Sequence, residues 1–206
     1  MPRLTVVGAL SLLLASCTAL APATPTPTPT ATTEPPATAS PSPSPTAQLG
    51  RCEDARDEGA AAVFVYFSCI DDQPPADVVA ASRDAGGASE TEDRLQAALE
   101  ALLEGPTAAE RDRGLTSWFS DETAGSLNSV TLSDGTAIVD FADFSEMIPN
   151  ASTSAGSQML LAELNSTVFQ FDEIDEVEYQ FDGGCNAFFE WLQGACTVID
   201  RSVVED

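Results

Sequence analysis

Few side chains in this chain are equipped for chemistry. It holds 33 acidic residues against 8 basic ones, no histidine and a formal net charge of −25, and every basic residue is an arginine. Without histidine or lysine there is no Ser-His-Asp arrangement and no lysine nucleophile, and a cysteine nucleophile lacks its customary base. Carboxylates and cysteines remain. Paired carboxylates cleave glycosidic bonds, and Asp140 and Asp143, beside Phe141 and Phe144, are such a pair by position. In a chain this acidic such pairs arise without function, and these two are expected to face water from a strand edge. The run Asp172-Glu173-Ile174-Asp175-Glu176-Val177-Glu178 lacks the glycine-centred spacing of a calcium-binding loop. It reads as a solvated acidic face leading into a strand. Zinc is not expected, because there is neither a Cys-x-x-Cys knuckle nor a histidine, and no cofactor is implied. The charge makes nucleic acid a very poor partner, since a phosphate backbone needs a basic surface. An anionic leaflet would also repel the domain.

The five cysteines divide by context. Cys17 closes the run Leu14-Ala15-Ser16-Cys17, after Arg3 and the apolar stretch Leu4 to Ala15. That is the anatomy of a secretory signal, too short for the roughly 20 apolar residues that span a hydrocarbon core. The closing residues resemble a bacterial lipobox, which implies a diacylglycerol thioether on Cys17 and removal of residues 1–16. Two acyl chains, at about 0.8 kcal/mol per buried methylene, hold a protein on a bilayer where one binds only marginally. Residues 17–50 then turn rich in Pro, Thr, Ser and Ala, as in Thr24-Pro25-Thr26-Pro27-Thr28-Pro29 and Pro41-Ser42-Pro43-Ser44-Pro45. Proline removes backbone donors and the rest offer little apolar surface, so this stretch is expected to be a disordered linker, partly polyproline II. At 3.1 Å per residue, some 25 residues reach up to roughly 75 Å. Cys52, Cys69, Cys185 and Cys196 are left, and an even number in an exported domain implies two disulfides. Cys185 with Cys196 and Cys52 with Cys69 is the expected pairing. A crossed pairing, tying the end of the first strand to the C-terminal segment, stays open.

Residues 51–206 are the length of one domain and can bury a real core. Val63-Phe64-Val65-Tyr66-Phe67 predicts a buried strand, and Val78 to Arg83 a second, after Pro74-Pro75. Leu95, Leu99, Leu102 and Leu103 recur at helical spacing over Glu92–Glu104, and Gly105-Pro106 supplies a stop. Asn128 to Phe141 is a hairpin: Val130 and Leu132 alternate with polar residues, Asp134-Gly135 turns the chain, and Ala137, Val139 and Phe141 return. A helix follows from Ser154 to about Thr167, capped by Ser152, Thr153 or Ser154, with Leu160, Leu161, Leu164 and Val168 apolar. Val177, Tyr179 and Phe181 alternate as a last strand. Phe188-Phe189-Glu190-Trp191-Leu192 is helix-like beneath the proposed Cys185–Cys196 clip. The fold class is α+β, a small mixed sheet with two main helices on one face.

Three stretches carry a resemblance to a known family. They are Ala98-Leu99-Glu100-Ala101-Leu102-Leu103-Glu104-Gly105-Pro106-Thr107, then Leu127-Asn128-Ser129-Val130, then Asp134-Gly135-Thr136-Ala137-Ile138-Val139-Asp140-Phe141, continued by Gln158 and residues 177–183. Together they resemble the GerMN domain of spore-germination proteins and many bacterial lipoproteins, over about residues 63–192. The resemblance implies a compact domain related to ring-building motifs of secretion and sporulation assemblies, acting outside the cytoplasm and without an established catalytic site. Trp118-Phe119 stand where the family commonly has an Ile-Pro-like pair, and the four cysteines are extra. Those two aromatics are a candidate binding patch; the alternative is that both rings cap the open side of the sheet. Asn150-Ala151-Ser152 and Asn165-Ser166-Thr167 match the N-glycosylation pattern, read as coincidental beside a bacterial signal.

The sequence therefore describes an extracytoplasmic lipoprotein, held on the membrane through lipid on Cys17. Its domain is expected to bind another protein or a cell-wall component without making or breaking a bond. The alternatives are a carboxylate-dependent hydrolase of wall glycan and a small-ligand sensor.

Overall fold

A computed structural model describes Cys52 and residues 62–70 and 77–205 of the 206-residue chain; Cys17 and the Pro-rich stretch lie outside the described residues. The first strand, β1 (Ala62–Cys69), follows from its β-branched and aromatic run. Val63, Val65 and Phe67 are fully buried on one face, while Phe64 and Tyr66 are half-buried on the other. β2 (Val78–Asp84) pairs antiparallel with it in unbroken register from Ala62↔Asp84 to Ser68↔Val78. The two-residue β3 (Leu115–Thr116) lies on the opposite edge of β1, against Ser68 and Cys69.

The rest of that edge is closed by side chains. In α3 (Ser154–Val168) and just beyond it, Glu163, Thr167 and Gln170 accept from the amides of Ser68, Tyr66 and Phe64 at 3.1, 3.2 and 2.8 Å. The Gln170 amide also donates to the Phe64 carbonyl at 2.7 Å, as a paired strand would. The fit is geometric: four helical residues rise about 6 Å and two strand residues about 6.6 Å, so successive turns meet alternate strand amides. An open edge, otherwise a template for aggregation, is thereby covered.

The expected hairpin is β4 (Leu127–Ser133) and β5 (Thr136–Phe141), joined through Asp134 and Gly135 at φ +50° and +82°. Two left-handed residues make the type I′ turn that suits strand twist. β6 (Glu176–Phe181) runs parallel to β5, and β7 (Ile199–Asp200) antiparallel to β6, giving a sheet ordered β4-β5-β6-β7. The α+β class is as the sequence predicts, with a difference: the strands are divided between a three-stranded and a four-stranded sheet, and β7 follows the strand read as the last. α1 (Thr91–Leu103) packs on β1, β4 and α3, and so lies against both sheets. Its Leu95, Ala98, Leu99, Leu102 and Leu103 are fully buried.

α3 starts at Thr153, whose hydroxyl accepts from the Gly156 amide at 3.1 Å. Leu160, Leu164 and Val168 are buried as predicted, whereas Leu161 is only half-buried. On the same helix Asn165 is buried and accepts from the Tyr179 hydroxyl at 3.0 Å, so the second glycosylation match is a core residue. α4 (Cys185–Trp191) sets Phe188 among Phe141, Tyr179, Phe181, Phe189 and Trp191. At the C-terminal side, Arg201 donates to the carbonyls of Phe169, Phe171 and Ile174 and stacks over the Phe169 ring, tying down the turn after α3. No helix among the described residues is long and apolar enough to cross a membrane.

Candidate functional site

The residues after α1 form a joint. The Gly105 amide donates to Leu102 O at 2.9 Å, and its φ of +75° is a left-handed helix end. A Cβ at Gly105 would lie 2.3 Å from the Phe119 carbonyl oxygen, so glycine is required for space as well. Pro106 is buried, and Thr107 caps the one-turn α2 (Ala108–Asp112) in a capping box with Glu110: each side chain accepts from the other residue's amide. Glu110 also grips Arg83 through two parallel bonds of 2.7 and 2.8 Å. Burial raises the Glu110 pKa, but hydrogen bonds from Arg83 and from the Thr107 amide outweigh it, leaving the carboxyl below its ordinary value. Two open clefts flank Glu104: one of about 380 Å³ bordered by Arg83, Asp84 and Glu100, and one of about 410 Å³ bordered by Gly105, Pro106, Thr107 and Arg111.

Trp118 and Phe119 do not make the exposed patch considered from the sequence. Phe119 is 1% exposed, edge-on to Phe144 at 6.0 Å, and Trp118 is half-buried with its indole N–H donating to Gly156 O at 3.2 Å. The cause is local: the Phe119 amide donates to Ser117 Oγ at 3.0 Å, closing a turn after β3, and Phe119 enters the core. Trp191 packs against Phe144, Phe181 and Phe188 beside the Cys185–Cys196 bond.

That bond and the one between Cys52 and Cys69 are the two disulfides, with Cα atoms 5.4 and 5.9 Å apart. Among the described residues one group has metal-ligand spacing, Glu178 with Cys185 and Cys196; its sulfurs are joined to each other, so neither is a thiolate. Asp140 accepts from the Gly183 amide at 2.7 Å and from Asn128 at 3.2 Å, while Asp143 accepts from the Ser145 amide at 2.8 Å. Both carboxylates brace turns. In the acidic run, Asp172, Glu173, Asp175 and Glu176 are exposed and Ile174 and Val177 buried, a solvated face running into β6.

The most perturbed carboxylate was not visible as a site in the sequence. Glu163 is 0% exposed, and its oxygens accept from the Ser68 amide at 3.1 Å, Ser68 Oγ at 2.8 Å and Ser117 Oγ at 2.6 Å. Burial, only partly offset by these bonds, raises its pKa from 4.5 to about 7. The available signal was positional: Glu163 and Thr167 share the buried stripe of α3 with Leu160 and Leu164.

Comparison with known proteins places the chain. The family described as Germane, sporulation and spore germination, matches residues 64–184, more than half of it. The chain belongs to the Germane family. Among solved structures, the tandem GerMN domains of the sporulation protein GerM from Bacillus subtilis align over 68% of this chain at 17% identity, with a TM-score of 0.43. This chain covers 44% of that tandem structure's length. The first GerMN domain of the same protein aligns over 59% of the chain and 84% of its own length, at 25% identity and a TM-score of 0.40. A Clostridium perfringens protein described as a lipoprotein aligns over 68% of this chain and 87% of its own, at 15% identity and a TM-score of 0.39. No curated protein matches the chain. The Germane match holds β1 from Phe64 onward, the Gly105-Pro106-Thr107 joint, the hairpin and β6, and ends just before Cys185. α4, its disulfide and β7 therefore lie beyond the matched stretch.

Proposed function

We propose that this protein is a lipid-anchored, extracytoplasmic binding module. Cys17 carries the lipid, the Pro-rich stretch is the tether, and the Germane domain presents a rigid surface to another envelope protein or a wall component, with no bond made or broken. The observation that carries the non-catalytic part is how the reactive side chains are used. Among the described residues all four cysteines are in disulfides, Asp140 and Asp143 brace turns, and Glu163 is enclosed. Two disulfides also support a compartment more oxidising than the cytosol, in keeping with the signal-like start.

Each half of the reading has its own test. Replacing Cys17 with serine is expected to release the protein from the membrane fraction of its cells; a variant that stays as firmly bound sinks the anchor. For the domain, incubation of the full chain with purified wall fragments is expected to give saturable binding and no new products. Turnover of glycan would replace this reading with the carboxylate hydrolase. Crosslinking in intact cells followed by mass spectrometry then identifies the partner.

A further inference from the structure

We propose that Glu163 is a proton-operated latch: protonated, it closes the joint between the end of β1, α3 and the segment 117–119; ionised, it loosens that joint. The geometry places one enclosed carboxyl on α3 in contact with two other parts of the chain, through Ser68 at the end of β1 and Ser117 just after β3. Each contact leads onward. Ser68 precedes Cys69, the anchor of the disulfide to Cys52. Ser117 Oγ accepts from the Phe119 amide, and the Phe119 carbonyl lies against Gly105, whose turn borders the 410 Å³ cleft. A loosened Glu163 joint is thus felt at the surface around Gly105, Pro106 and Thr107.

Among the described residues no cation compensates a charge at Glu163. β6 reaches α3 through Tyr179, whose hydroxyl donates to Asn165 and whose pKa is raised by burial; the other elements packed against α3 are β1, β2, α1 and the short 3-10 turns Pro149–Ser152 and Arg201–Val204. Their guanidiniums are engaged elsewhere: Arg83 by Glu110, Arg94 over the Phe171 ring at 5.2 Å, and Arg201 by three carbonyls. Their acids are Asp84, Glu92, Asp93 and Glu100, of which Glu92 holds the Leu132 amide and Glu100 the Gln96 amide group. β1 adds Tyr66 and the disulfide-bonded Cys69, Pro149–Ser152 adds no titratable group, and neither does the stretch 115–120. The ionised carboxyl keeps three hydrogen bonds but has no counter-charge among the described residues, while the neutral one donates its proton to Ser117 Oγ and still accepts from Ser68. Opening the joint to water relieves the charged form and not the neutral one.

The sign and the window follow by linkage. Glu163 has a pKa of about 7 when enclosed and 4.5 when hydrated. Its full contribution to closure is therefore present below pH 4.5, and is lost as pH rises through about 7. Between those limits the opening constant rises by up to roughly tenfold per pH unit, then levels off. The chain has no histidine, so no imidazole competes for a transition in this range.

Trp118, next to Ser117 and hydrogen-bonded to Gly156 O, is the reporter. With Trp191→Phe in the full chain, leaving one of the two tryptophans, its fluorescence is expected to show a one-proton transition at or just below pH 7, absent when Glu163→Gln is added. A flat profile in the Trp191→Phe chain, or the same transition once Glu163→Gln is added, overturns the proposal. Hydrogen exchange of the unaltered chain is the second measurement, in case a variant does not fold. After correction for intrinsic rates, protection at residues 68 and 117–119 should fall at least tenfold from pH 5.5 to 7.5 while the β4–β5 hairpin keeps its own. A uniform change across both regions overturns the latch.

Discussion

Among the described glycines, Gly105 alone combines a left-handed conformation with a close approach of neighbouring backbone. Its φ of +75° is matched by Gly125 at +76°, yet a Cβ at Gly125 would meet nothing within 4 Å, whereas one at Gly105 would strike the Phe119 carbonyl at 2.3 Å. Alanine at Gly125 is expected to cost about 1 kcal/mol, the strain of the left-handed conformation. At Gly105 the loss is expected to be roughly 2–4 kcal/mol, because backbone on the other side of the contact must move. Urea denaturation of the two variants compares them directly, and equal losses would show that the close approach costs nothing. At this scale the sequence was half legible. Gly105-Pro106 reads as a helix stop without any structure, but its contact with Phe119 joins residues that only the fold brings together. Glu163 sent contradictory signals, a position inside the apolar stripe of α3 and a residue type that belongs outside. Such a conflict between levels is what a buried polar joint looks like in one dimension.

At the scale of elements, β1 is completed by a helix acting as a strand. Gln170 offers the Phe64 N–H an acceptor at 2.8 Å and the Phe64 carbonyl a donor at 2.7 Å, and also donates to Thr167 O. Gln170→Ala leaves two backbone groups of a half-buried residue without this partner, and is expected to destabilise the fold by about 1–3 kcal/mol with an unchanged denaturant slope. Gln170→Glu retains an acceptor for the amide but no donor for the carbonyl, so it should fall between wild type and alanine. If Gln170→Ala unfolds at the wild-type midpoint, the edge is held by Thr167 and Glu163 alone. The elements themselves were largely legible: the leucine spacing of α1, the Asp134-Gly135 turn and the Thr153 cap of α3 all sit where periodicity and turn chemistry put them. Their assembly was not. Period-two alternation says that a strand buries one face, and it says nothing of which sheet the strand joins, so a division into sheets of three and four strands left no mark. β3 and β7, at two residues each, are too short for any pattern to register.

For the whole molecule the dominant quantity is charge. With 33 acidic residues against 8 basic ones, most carboxylates have no arginine to meet. Those that are held are held by amides and hydroxyls, as Asp140 is by Gly183 and Glu92 by Leu132. Arg83–Glu110 is a close ion pair, largely shielded from solvent, and therefore weakly screened by salt. The remaining acids are mostly exposed, and their mutual repulsion is the part that dissolved ions can reach. The screening length shortens from about 10 Å at 0.1 M salt to 3 Å at 1 M, so repulsion should fade before the shielded pair weakens. Thermal unfolding of the full chain at pH 8, where Glu163 is mostly ionised, is expected to shift upward by several degrees across that range. Sodium chloride and tetramethylammonium chloride should act alike if screening is the cause, since neither cation needs a site. A fall in the unfolding temperature would mean that attractive pairs outweigh repulsion, and that the acidic surface is organised around its few arginines rather than left open for a basic partner.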